Sequence, residues 1–92
     1  MAFGFLPLFL VFRILSFSFI LFSIEASLKK LGKCIKFERK NKNLSQEKLA
    51  ELIGKTRNYI GMVERAEINV PISVLFDIAK ALNVNIKVFF DF

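Results

Sequence analysis

Between Leu44 and Arg65 the chain reads LSQEKLAELIGKTRNYIGMVER, and this run constrains the fold more than any other. Ser45 is a good N-cap ahead of the apolar-periodic Leu49, Leu52 and Ile53, so a first short helix is expected there. Ala50 keeps one face of that helix thin enough for another helix to cross closely. Gly54 stands where the chain must reverse, at a position suited to positive φ. Thr56 then caps a second helix whose Ile60 and Val63 face inward at i, i+3 spacing. Arg57, Asn58, Tyr59 and Met62 are left looking outward.

This arrangement resembles the helix-turn-helix of the phage repressor and Cro-like (XRE) family. The resemblance covers about two thirds of the chain, from Leu31 to Phe90, in three blocks that keep the family's order. LGKCIKFERKNKNLSQ is similar to the opening helix, with Arg39 at its arginine position and Gln46 at its phosphate-contacting glutamine. The helix-turn-helix follows and ends at Glu64, where the family usually carries a glutamate. LFDIAKALNVNIKVFF is similar to the closing pair of helices, with Leu75, Ile78, Ala79 and Leu82 as an apolar stripe and Asn83 as an αL terminator. The sequence departs from the pattern at Glu38, often an apolar position, and at Lys55, which replaces the apolar residue after the turn glycine. Gly61 stands inside the second helix, at a cost of about 1 kcal/mol against alanine, and Ala66 where a glycine generally follows the glutamate.

The resemblance implies an all-α, compact five-helix domain over residues 28–92 that binds DNA. The major groove admits one helix, and side chains near that helix's N-terminus meet base edges. Arg57 and Asn58 occupy the family's two base-reading positions. Arginine suits a bidentate contact with guanine and asparagine one with adenine, each worth about 1–3 kcal/mol of discrimination. Tyr59 is suited to stack on sugar or touch a thymine methyl, and Met62, one turn beyond Asn58, to touch a thymine methyl. Gln46 and Thr56, at helix N-termini, are expected at phosphates, with Arg65 and Lys42 as further phosphate contacts. Arg39 and Glu64 are expected to pair with each other, because the matching family positions form a partly buried ion pair. Phe89 is expected to plug the core. Phe90 and Phe92 are then left outside, in the region many relatives use for dimerisation, although all three phenylalanines completing one core is an alternative. A two-fold dimer would set two recognition helices about 34 Å apart on a palindromic operator.

Charge divides the chain at Ser27. Residues 1–27 hold one base, Arg13, and one acid, Glu25, so the net +6 comes entirely from residues 28–92. Lys29, Lys30, Lys33, Lys36, Arg39, Lys40 and Lys42 lie close together; such a basic face attracts nucleic acid or an anionic membrane equally, and can also be an ordinary solvated helix face. With no His and a single Cys, neither a metal site nor catalysis is expected, and no cofactor is implied. Cys34 reads as a small core or boundary residue.

Met1–Ile24 is apolar and carries seven of the twelve phenylalanines, with Arg13 its lone charge. Its length fits a membrane span of about 20 residues, and the lysines after it would keep the C-terminal domain in the cytoplasm. A T-rich stretch ahead of a start codon near Leu28 would read much the same. Residues 1–27 are therefore an extra apolar helix or anchor, or a segment ahead of the true start, and a membrane is a partner only if residues 1–24 are genuine. Double-stranded DNA is the expected partner, with a homodimer in the cytoplasm or, if the anchor is real, at the inner membrane. The run Arg57-Asn58-Tyr59-Ile60 followed by Val63-Glu64-Arg65 looks most like controller proteins of restriction-modification systems, a pattern that antitoxins and phage regulators share. An antitoxin and a membrane-tethered regulator are the alternatives.

Overall fold

The computed structural model describes residues 8–91, with side chains for Ser18 and residues 20–91. All regular structure among the described residues is helical: α1 (Leu8–Asn41), α2 (Gln46–Ile53), α3 (Arg57–Glu64), α4 (Ile72–Leu82) and a closing 3-10 helix (Ile86–Phe90). The all-α class expected from the sequence holds, with two corrections of detail. From Leu8 onward the apolar N-terminal segment is no separate helix but the first part of α1, which runs unbroken for 34 residues. No Pro or Gly interrupts Ile24–Leu31. Glu25, Ala26, Leu28, Lys29 and Lys30 are good helix formers, so nothing stops propagation there. The fifth helix of the domain is a 3-10 helix. Asn85 Oδ1 accepts from the Lys87 N–H at 3.0 Å, and the Val88 N–H donates to the Asn85 carbonyl at 2.9 Å. The second of these is an i to i+3 bond. β-Branched Ile86 and Val88 give this short run little reason to relax into an α-helix.

Each boundary of the helix-turn-helix has a local cause. After α1, Asn43 adopts φ 56°, and the Leu44 N–H donates back to the Arg39 carbonyl at 3.2 Å. Ser45 Oγ accepts from the Lys48 N–H at 3.0 Å, which starts α2. Gly54 ends α2 at φ 69°, where a side chain would be strained. Thr56 Oγ1 accepts from the Tyr59 N–H at 3.1 Å and starts α3. Asn83, at φ 55°, closes α4 as the sequence predicts.

One core joins these elements. Leu31 and Ile35 of α1 meet Leu49 and Ala50 of α2, Ile60 and Val63 of α3, the α4 stripe with Val74 added, and Phe89, all buried. Each large apolar side chain among them contributes about 1.5–3 kcal/mol by leaving water. Leu52, although apolar-periodic with Leu49 and Ile53, is 51% exposed. It falls beyond the edge of the core, over a depression where α4 offers Asp77 and Lys80 beside Ala81 rather than an apolar surface. Cys34 lies at the margin of the core, as expected.

Gly32 sets how closely α1 approaches α3. A Cβ there would lie 2.6 Å from the Glu64 carbonyl oxygen and 2.8 Å from that of Val63. Nearer its N-terminus, α1 exposes Ile20, Leu21, Phe22 and Ile24. Among the described residues no helix is long and apolar enough to cross a membrane. Much of the 1–24 run, Arg13 included, lies outside the residues whose side chains are described.

Candidate nucleic-acid interface

The start of α2 and the end of α3 come together around one buried carboxylate. Arg39 Nε donates to Glu64 Oε1 at 2.6 Å and its Nη2 to Oε2 at 3.2 Å. This is a two-point pairing, and both residues are buried. The remaining Arg39 terminal nitrogen, Nη1, donates to the Leu44 carbonyl at 2.7 Å. Gln46 Nε2 also donates to Glu64 Oε2, at 2.9 Å. Glu64 thus ties the last turn of α3 to α1 and to the first residue of α2. Among the described residues no buried side-chain polar atom lacks a partner, so the cost of burying these charges is offset by hydrogen bonds.

Arg57 and Asn58, the first two residues of α3, are exposed. With Gln46, Gly61 and Arg65 they line one depression of about 350 Å³. Four residues singled out from the sequence are thereby brought together. Tyr59 and Met62 are only half-exposed. Tyr59 packs partly against the core, and Lys55 Nζ lies 5.2 Å from its ring centroid, a cation–π arrangement. That contact gives Lys55 a partner at a position where the family carries an apolar residue.

Gln46 is half-buried by its bond to Glu64, which leaves its second amide N–H to donate elsewhere. Thr56 spends a lone pair as the cap of α3 and keeps its O–H proton as a donor. Lys42 is exposed in the turn after α1. Arg65, expected at a phosphate, is engaged within the chain: its Nε donates to Glu67 Oε1 at 2.8 Å and its Nη2 to Oε2 at 3.3 Å. The hydrogen bond to Glu67 holds the Arg65 guanidinium above its ordinary pKa, and the bond from Arg65 holds the Glu67 carboxyl below the usual range. Gly61 is the floor beneath this arginine, whose Nη1 lies 2.8 Å from where a Cβ would stand.

Two conformational details escape a reading of the sequence. Ala66 takes φ 59°, so this alanine adopts the left-handed turn that a glycine serves in the family. Gly32, set among good helix formers, marks the α1–α3 crossing; a glycine inside so long a helical run is the available signal. Phe89 is fully buried, as expected, and Phe90 is 48% exposed. Phe90 lines an apolar groove of about 570 Å³ with Ile72 and Leu75 of α4 and with Ile24 and Leu28 of α1. Phe92 lies outside the described residues.

Two capped short helices joined at a left-handed glycine, the second with polar residues exposed at its start, define a DNA-binding helix-turn-helix domain. The family model described as Helix-turn-helix matches residues 35–89, and the chain belongs to that family, the XRE-type sequence-specific DNA-binding regulators of transcription. It is 50% identical over 56 residues to control protein C.SmaI of Serratia marcescens, covering 61% of this chain and 67% of that one. The crystal structure of the restriction-modification controller protein C.AhdI from Aeromonas hydrophila is similar, with a TM-score of 0.69 and 39% identity over 72% of this chain and 96% of that one. A point mutant of the controller protein C.Esp1396I superposes with a TM-score of 0.66 and 38% identity over 71% and 87% of the two chains.

Proposed function

We propose that this chain acts as a controller-type transcriptional regulator, a homodimer that lays α3 of each protomer into successive major grooves of a palindromic operator. The observation that carries this reading is the exposed Arg57–Asn58 pair at the start of α3, held by the Arg39–Glu64–Gln46 linkage behind it. In this reading Arg57 and Asn58 read base edges, with Tyr59 and Met62 at their margin in apolar or sugar contacts. Gln46, Thr56, Lys42 and Arg65 hold the backbone. The similarity to C.SmaI and C.AhdI supports a controller, and hence a partner gene within a restriction-modification system. No catalytic step and no cofactor form part of this function, and its place is the cytoplasm.

The homodimer rests on the apolar groove at Phe90, Ile72 and Leu75; Phe92, assigned to the same interface from the sequence, lies outside the described residues. Sedimentation with and without a duplex carrying the gene's own upstream DNA tests it: two protomers per palindrome are expected, and one protomer at saturation contradicts it. The exposed Ile20, Leu21, Phe22 and Ile24 favour one second reading, a regulator tethered through α1. Salt-resistant sedimentation of the native protein with membranes would support tethering, and its recovery in the soluble fraction would exclude it. Copurification of a toxin would instead favour an antitoxin.

A further inference from the structure

The geometry points to a second DNA-contacting element: a stripe of lysines on α1, Lys29, Lys33, Lys36 and Lys40, that grips backbone phosphates flanking the site read by α3. This inference rests on the regulator reading above and extends it to residues that reading leaves unused.

The four lysines stand at i, i+4, i+7 and i+11 of α1. That spacing puts them on one face of the helix over roughly 16 Å of its length. All four are exposed, and none makes an ion pair among the described residues. The position of the stripe follows from Gly32. Its missing side chain points at the carbonyls of Val63 and Glu64 at the end of α3. Lys29 and Lys36, three residues before and four after Gly32, are its neighbours on the helix surface. The stripe therefore passes beside the end of the recognition helix.

Its other end leads toward the other phosphate-facing element. Lys40 precedes the short turn Lys42–Ser45, which delivers the chain to Gln46 at the N-terminus of α2. A backbone strand that meets Gln46 and Lys42 would thus find further positive charge along α1. The loop after α3 adds little beyond Arg65, whose charge is shared with Glu67. A polyanion is the ligand this stripe suits, and duplex DNA is the one already brought alongside by α3.

A competing role for lysines beside Val63 and Glu64 is to neutralise the negative end of the α3 dipole. The test separates the two. The full chain carrying Lys33→Gln and Lys36→Gln is compared with the unaltered chain by anisotropy, on a duplex of its own upstream DNA and on a scrambled duplex, across a salt series. Lys80→Gln on α4, beside Leu52 and Ile53 at the far end of α2 from Gln46, is the control. The expected result is a slope of log K against log salt shallower by about 0.9 for each lost phosphate contact, with binding to both duplexes falling by the same factor. Lys80→Gln should leave the slope unchanged. An unchanged slope in the double variant overturns the proposal, and a lowered melting temperature with that unchanged slope assigns the lysines to the α3 dipole. Absence of salt-sensitive binding by the unaltered chain would remove the regulator reading itself, and this inference with it.

Discussion

Arg39 and Glu64, twenty-five residues apart in sequence, form a buried two-point ion pair that holds the recognition helix against α1. The same carboxylate accepts from Gln46, so the position of α3 and the start of α2 depend on one group. Removing one member leaves a buried charge without its partner. Arg39→Ala should destabilise the domain by about 3–5 kcal/mol, read from urea denaturation midpoints. Arg39→Met combined with Glu64→Leu should recover most of that loss, because no orphan charge remains. Equal losses for the single and double variants would show that the pair is not the source.

Gly32 makes a different demand on the same crossing. A methyl group at this position would meet main-chain oxygen, which cannot move aside like the tip of a flexible side chain. Gly32→Ala should cost about 1–3 kcal/mol through forced displacement of α3, despite the better helix propensity of alanine. Amide chemical shifts should change most at Val63 and Glu64. A stabilised variant would mean that α1 approaches α3 less closely than this.

Ala66 offers the opposite opportunity. A left-handed conformation costs an L-residue about 1–2 kcal/mol, while glycine brings an entropic cost of about 0.5–1 kcal/mol. Ala66→Gly should therefore stabilise the chain by about 0.5–1 kcal/mol, seen as a higher denaturation midpoint. A lower midpoint would contradict a strained turn at this alanine.

The Arg65–Glu67 link should behave as an acid-sensitive restraint. Glu67 has a lowered pKa in the folded chain. Its contribution is therefore present above the ordinary carboxylate value and is lost as pH falls through the lowered one. The link is intact at neutral pH. Glu67→Gln should free Arg65 and remove the negative charge beside this proposed phosphate contact, giving tighter binding with a steeper salt dependence. Weaker binding would show that Glu67 positions Arg65 productively rather than restraining it.

Local chemistry makes much of the fold legible. Ser45, Gly54, Thr56 and Asn83 act within a turn of themselves, and each does what its residue type favours. The inward set Ile60, Val63, Leu75, Ile78 and Phe89 follows from periodicity and from the family pattern. Features that depend on a distant neighbour are not legible. Leu52 has the right spacing for burial, yet the α4 surface beside it is charged. The continuity of α1 is hidden by a change of composition at Ser27 that has no backbone consequence. Gly61 reads as a propensity cost because the arginine above it folds back only through Glu67, a pairing across a turn. At the interface, the clustering of Gln46, Arg57, Asn58 and Arg65 is foreseeable; the engagement of Gln46 with Glu64 is not. Gln46→Ala should therefore weaken binding to every sequence by loosening the support of α3 as well as by losing the proposed phosphate contact.

The most direct test of base reading is the sequence preference of Arg57→Ala. Binding of the unaltered and altered chains would be measured on the gene's upstream palindrome and on every single base-pair substitution within one half-site, at fixed salt. The variant is expected to lose about 1–3 kcal/mol on the native sequence and to become indifferent at one base pair, keeping its preferences elsewhere. Uniform weakening across all substitutions, with every preference intact, would contradict base reading and make Arg57 a backbone contact.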